Sequence, residues 1–177
     1  MALYTSRIQK KICLLGDFGV GKTSLVHRYV YNLFNERYLS TIGVKISRKE
    51  VDVDGLPVSL LIWDLAGGED HTEMHNGYLQ GAASALIVCD LTRADTLLAV
   101  PRHIEMLHQK QRDIPIYILG NKSDLVRQRE ITDAALEQTA REFQAQFWLT
   151  SAKSGANVEL VFQTLAKKLA PPIKKDG

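Results

Sequence analysis

Gly16-Asp17-Phe18-Gly19-Val20-Gly21-Lys22-Thr23 fits G-x-x-x-x-G-K-[ST], the phosphate-binding P-loop. Its setting fits as well. Lys11-Ile12-Cys13-Leu14-Leu15 before it reads as a short buried strand, and Ser24 to Val30 after it reads as a helix. Glycines let the backbone curl until successive N–H groups point at phosphate oxygens, here from Asp17, Phe18, Gly19, Val20, Gly21, Lys22, Thr23 and Ser24. The helix start adds unpaired N–H groups and the positive end of its dipole. Lys22 is expected to reach the β- and γ-phosphates, and the Thr23 hydroxyl to sit on Mg²⁺. A chance Gly-rich turn is the bland alternative, and the flanking strand and helix weigh against it.

Working outward, Val44 to Val53 alternates and reads as a strand, Asp54-Gly55 as a hairpin turn, and Val58 to Trp63 as the partner strand. Glu69 to Leu79 reads as a short mobile helix with His71 and His75 on one side. Ser84 to Cys89 and Pro115 to Leu119 read as buried strands, with Thr96 to Gln109 between them as a helix carrying Pro101 in its first turns. Thr132 caps a helix over Asp133 to Gln144, and Gln146 to Leu149 is the last strand. Val158 to Leu169 closes the chain as an amphipathic helix before Pro171-Pro172. This alternation predicts an α/β, three-layer P-loop NTPase fold: a mostly parallel six-stranded sheet with one antiparallel edge strand. Residues 1–170 read as one domain and 171–177 as a short tail. Ligands in such sheets bind at strand carboxyl ends. The stretches beginning near Gly16, Asp64, Asn121 and Ser151 all fall there.

A net charge of +2 over 177 residues, 45% hydrophobic and 24% charged, is that of an ordinary globular chain and is too weak to argue for nucleic acid or an anionic membrane surface, so no nucleic acid is expected as partner. No run approaches the span of a bilayer, and Met1 to Lys10 lacks a signal-peptide core. Cys13 and Cys89 sit in apolar strand-like runs, which favours small buried hydrophobes in a reduced, cytoplasmic setting over a disulfide or metal pair. A monomer is the default at this size.

Asn121-Lys122-Ser123-Asp124 reads as a base-recognition loop rather than a solvated polar turn. A carboxylate in the base plane accepts from both N1–H and the exocyclic amine of guanine, which adenine cannot match, and that role falls to Asp124. The Lys122 stem can cover the base face, and Asn121 can tie the loop to the P-loop.

With these motifs, Ser40-Thr41-Ile42-Gly43-Val44, Trp63-Asp64-Leu65-Ala66-Gly67 and Ser151-Ala152-Lys153, the chain resembles the Ras superfamily of small GTPases, and its Rab branch in particular, from about Lys11 to Leu169. The resemblance implies GTP/GDP and Mg²⁺ as ligands. It implies that Phe34 lies against the guanine edge, that Tyr38 closes over the triphosphate, and that Thr41 joins Mg²⁺ in the GTP state. Asp64 would hold Mg²⁺ through water, and the Gly67 N–H would touch the γ-phosphate. Ser151 belongs to the loop in which Ala152 offers its N–H to the guanine oxygen and Lys153 packs beside the base. Effectors would bind at the switch loops and an aromatic triad whose places here hold Ile46, Trp63 and Tyr78, although Trp63 also suits a core position. Lys45 stands where an acidic residue is usual, which puts ordinary Rab effectors in doubt. An exchange factor and an activator of unusual kind are also implied. Ile173 to Gly177 holds no Cys, so prenylation of these residues is excluded; the chain is expected either to be trimmed or to work without a lipid anchor, with any peripheral membrane attachment through partners.

Two departures carry the functional prediction. The family's motif continues after Gly67 with Gln, and here that place is Gly68. That glutamine orients the attacking water, and glycine has no side chain to do so. Phe18 fills a P-loop position that relatives give to a small residue, crowding the γ-phosphate side where an arginine finger enters. Among the expected catalytic set of Lys22, Thr41, Gly67 and Gly68, the last is therefore the defective member. The expectation is a GTPase with slow intrinsic hydrolysis that is insensitive to a finger-type activator. The alternatives are chemistry supplied by a partner, a water-positioning role for Glu69, His71 or His75, and an interaction module held mainly in the GTP form. A P-loop kinase or motor ATPase fits poorly with Asp124 and with the chain length.

Overall fold

A computed structural model of the chain describes residues 8–37, 39–68 and 72–172. Among them, strand β1 (Ile8–Leu15) runs into the P-loop, and helix α1 (Lys22–Tyr31) follows. The hairpin of β2 (Val44–Val53) and β3 (Leu56–Leu65) comes next, then the short helix α2 (Thr72–Tyr78) and strand β4 (Ser84–Asp90). Helices α3 (Ala94–Leu98) and α4 (Val100–His108) lead to β5 (Ile116–Asn121) and a 3-10 turn at Val126–Gln128. Helix α5 (Asp133–Glu142), strand β6 (Gln146–Leu149) and helix α6 (Val158–Leu169) complete the order. The six strands lie in the order β2-β3-β1-β4-β5-β6. Only β2, at the edge, is antiparallel to its neighbour, with Ile46 opposite Trp63. This is the predicted architecture.

Alternation along the strands builds two cores. Ile12 and Leu14 of β1 join Leu25, Tyr29, Phe162 and Leu165 of α1 and α6 on one face of the sheet. Cys13 and Leu15 join Val100, Ile104, Leu107 and Leu136 of α4 and α5 on the other. Both cysteines are buried free thiols, and burial pushes each up to about 12. At the hairpin tip the Gly55 N–H donates to Asp52 Oδ1 at 2.9 Å. Thr132 caps α5 as predicted, its side chain accepting from the Ala135 N–H at 3.1 Å.

Two expectations need correction. The single helix over Thr96 to Gln109 is two helices, meeting at Ala99. Pro101 has no N–H to give Leu97 and its ring crowds that carbonyl, so it starts a new helix instead of sitting inside one. His75, offered as a group that could swing in to position water, is only 5% exposed in the last turn of α2. Glu69, His71 and Tyr38, and the tail from Ile173 to Gly177, lie outside the described residues.

Candidate functional site

The P-loop leaves β1 and enters α1 through Gly21, at φ +99. A Cβ there would stand 2.3 Å from Asn121 Nδ2, so the loop approaches the base-recognition segment more closely than any side chain permits. Among the described residues no side chain caps α1, which leaves its first N–H groups available to an anion. Lys22 is buried, and its ammonium donates to the carbonyls of Gly16 at 2.7 Å and Asp17 at 3.0 Å. Burial pushes it down to about 8, against the pull of Asp64 and Asp17 in the other direction.

Three oxygen-bearing side chains from three separate segments converge beside Lys22. Thr23 Oγ1 donates to Asp64 Oδ2 at 2.6 Å, and Thr41 Oγ1 donates to the same oxygen at 3.1 Å. The two hydroxyls lie 2.6 Å apart. Asp64 is 1% exposed and its Oδ1 is buried without a hydrogen-bond partner among the described residues. Burial raises its carboxyl above the usual range, while the Thr23 hydrogen bond and Lys22 pull it back. Hard oxygen donors only, one an incompletely satisfied buried carboxylate, suit Mg²⁺.

Gly67 follows β3 and presses on the P-loop: a Cβ there would lie 2.5 Å from the Phe18 nitrogen. Gly68 is exposed at φ +128. Phe18 lines the cavity while remaining 55% exposed. Its neighbours in that cavity, about 330 Å³, include Thr41, Phe34, Lys122, Asp124 and Ala152. Phosphate-type and base-type segments therefore share one concavity.

At its far end Asn121 is 1% exposed and joins three loops. Its Nδ2 donates to Val20 O at 3.0 Å, while Oδ1 accepts from Thr150 Oγ1 at 3.2 Å and the Ala152 N–H at 3.3 Å. Lys122 donates to Gly19 O at 2.9 Å and pairs with buried Asp90 at 2.6 Å. The Ser154 N–H donates to Ser151 Oγ, whose hydroxyl donates to Asp124 Oδ1 at 2.7 Å. The Asp124 carboxylate is thus oriented before any base arrives. Lys153 lines the cavity beside Ala152 and pairs with Glu36 at 3.4 Å.

Several residues of this site went unread in the sequence. Arg28 of α1 holds the Ser151 loop by donating to the carbonyls of Ala152 at 2.8 Å and Lys153 at 2.6 Å. Asp90 ends β4 beside Asn121 in register, so a carboxylate at a strand C-terminus was the available signal. On the outer surface, Ile46 is 51% exposed and pairs across the hairpin with Trp63. The Trp63 and Tyr78 rings lie 6.2 Å apart, and the Lys11 ammonium sits 3.7 Å over the indole. Trp63 is half-buried, packed on the second core while remaining part of this surface.

A P-loop, an oxygen cluster suited to Mg²⁺ and a base loop at the carboxyl ends of one sheet mark a nucleotide-binding switch protein. The chain matches the Ras family over residues 11–171. It is 34% identical over 178 residues to Ras-related protein Rab-10 of Diplobatis ommata, covering 99% of this chain and 89% of that one. With Ras-related protein Rab-37 of Homo sapiens it shares 38% over 161 residues, 90% of this chain and 72% of the relative. Ras-related protein Rab-11A of Dictyostelium discoideum is 36% identical over 160 residues, covering 90% and 75%. The chain belongs to the Ras family of small GTPases, in its Rab branch. Members bind GTP, GDP and Mg²⁺ and engage effectors, exchange factors and activating proteins. No helix among the described residues is long and apolar enough to cross a membrane.

Proposed function

We propose that this chain is a guanine-nucleotide switch biased toward its GTP form by slow intrinsic hydrolysis. The observation that carries the reading is Gly68, an exposed residue without a side chain directly after Gly67, which packs on the Phe18 nitrogen. A water attacking in line has no amide there to orient it. In support of retained γ-phosphate sensing, Thr41 already meets Thr23 and Asp64. Lys22 and the P-loop N–H groups would bind the phosphates, with Asp124 and the Ala152 N–H reading guanine. Thr23, Thr41 and Asp64 would hold Mg²⁺, which supplies charge neutralisation on the phosphate oxygens. Lys122 and Lys153 would flank the base and Phe34 would cover its edge. Residues 1–170 form one G domain that works as a cytoplasmic monomer, reaching membranes through partners in vesicle traffic. Effectors dock on Ile46, Trp63, Tyr78 and the switch loops.

A second reading, an interaction module with negligible hydrolysis, is favoured by Phe18, whose ring lines the cavity. Loading the protein with Mg²⁺–GTP and following nucleotide content by chromatography tests both. Retention of GTP over ATP with slow conversion to GDP is expected. Equal retention of ATP overturns guanine specificity, and rapid conversion overturns slow hydrolysis.

A further inference from the structure

The Asp17 corner of the P-loop is braced from helices that carry none of the nucleotide motifs. Asp17 Oδ1 accepts from His103 Nε2 at 2.8 Å and from Arg102 Nη2 at 3.0 Å, both on α4. A carboxylate acceptor requires the proton on Nε2. One residue on, the Phe18 carbonyl accepts from Arg93 Nη1 at 2.9 Å, from the residue that opens α3. In a trans peptide the carbonyl and the next N–H point in opposite directions. The Arg93 contact therefore turns the Gly19 N–H away from α3, while Lys22 holds the carbonyls of Gly16 and Asp17 from the other side. The orientation of these peptide planes is what a phosphate meets.

We infer that His103 is a positioning residue of the phosphate-binding loop, fixing Asp17 through a largely buried hydrogen bond and so governing how long nucleotide is retained. This rests on the guanine-nucleotide reading above. His103 is 7% exposed and touches the loop rather than the cavity. The charged groups that face it are Asp17 on the loop, Arg102 on its own helix and Lys22 on α1. Burial holds the imidazole below its ordinary value, with Arg102 and Lys22 acting in the same sense and Asp17 opposing them. Near neutrality it is a neutral donor. Acid keeps the Nε2–H donor but adds a further cation to this corner, so the brace is sensitive to pH.

The test follows release of fluorescent GDP from the Mg²⁺-loaded full chain between about pH 5.5 and 8.5. His103→Leu is expected to release roughly fivefold to tenfold faster at neutral pH, as loss of a hydrogen bond to a charged group allows. His103→Gln, which keeps a donor at the same reach, should stay within about twofold of the parent and lose the acid-side change in rate. In an Asp17→Asn background the leucine substitution should add little, since coupled residues are non-additive. Imidazole ¹⁵N NMR reads the contact independently of bound nucleotide: an Nε2–H tautomer whose signal moves in Asp17→Asn is expected. Should His103→Leu fail to fold, the glutamine variant's pH profile and the NMR signal decide. A leucine variant that folds yet releases no faster, equal pH profiles from parent and glutamine variant, or full additivity with Asp17→Asn, overturn the inference while guanine binding stands. Failure of the parent to bind fluorescent GDP overturns the reading beneath it.

Discussion

Asn121→Ala removes the side chain that joins the P-loop, the base loop and the Ser151 loop. Three hydrogen bonds go with it: one donated to Val20 O and two accepted from Thr150 and the Ala152 N–H. At about 1 kcal/mol for each neutral hydrogen bond, the loss is ~3 kcal/mol, because the orphaned groups remain buried. Water entering the hole returns part of this, so urea unfolding should show a loss of about 2–3 kcal/mol. Nucleotide release should accelerate in parallel, since two of the three partners belong to segments that line the cavity. Asn121→Asp is the sharper probe. It keeps an oxygen for Thr150 and Ala152 but turns an oxygen toward the Val20 carbonyl, where the amide donated. At neutral pH it should be at least as damaging as alanine, and it should recover on acidification, because burial favours the protonated acid, which can donate again. A loss below about 1 kcal/mol for Asn121→Ala, with release unchanged, would refute the claim that this residue couples the loops.

Three further outcomes are expected. Because burial depresses the folded-state value of His103 below 6.5, the unfolded chain takes up its proton first, so stability should fall as pH drops through and below 6.5; His103→Gln should flatten that slope, and an unchanged slope would count against it. Asp64→Asn should abolish the rise in Tm on adding Mg²⁺ without lowering Tm in chelator, since it relieves a buried carboxylate; an intact Mg²⁺ effect would remove Asp64 from the metal set. Thr132→Ala should cost about 1 kcal/mol, the worth of a side-chain cap, and an undetectable change in urea would mean that the bond to Ala135 is not a cap in solution.

What was legible in the sequence is what local chemistry or strand direction controls. Thr132 is a cap because capping spans three residues, and β2 and β3 pair because Asp54-Gly55 turns the chain between them. The meeting of Asn121 with the P-loop follows from placing both at strand C-termini. Bonds to backbone carbonyls leave no such trace, because every residue offers a carbonyl. Arg28 reaches the carbonyls of Ala152 and Lys153 across more than 120 positions, and nothing in either segment's composition signals it. His103 and Asp17, 86 positions apart, are ordinary residues until α4 is set against the loop. That placement depends on the break at Ala99, which Pro101 announced only in outline.

Whether the missing side chain at Gly68 limits hydrolysis is read from single-turnover rates of parent, Gly68→Gln and Gly68→Ala. Any side chain at φ +128 strains the loop, so the alanine variant isolates that strain from the amide's effect. A water-orienting hydrogen bond of about 1.4 kcal/mol corresponds to a rate gain of roughly tenfold. A slow parent, an alanine variant no faster and a glutamine variant about tenfold faster are expected. A parent that already turns over quickly, or a glutamine variant no faster than alanine, would contradict a limit set by Gly68.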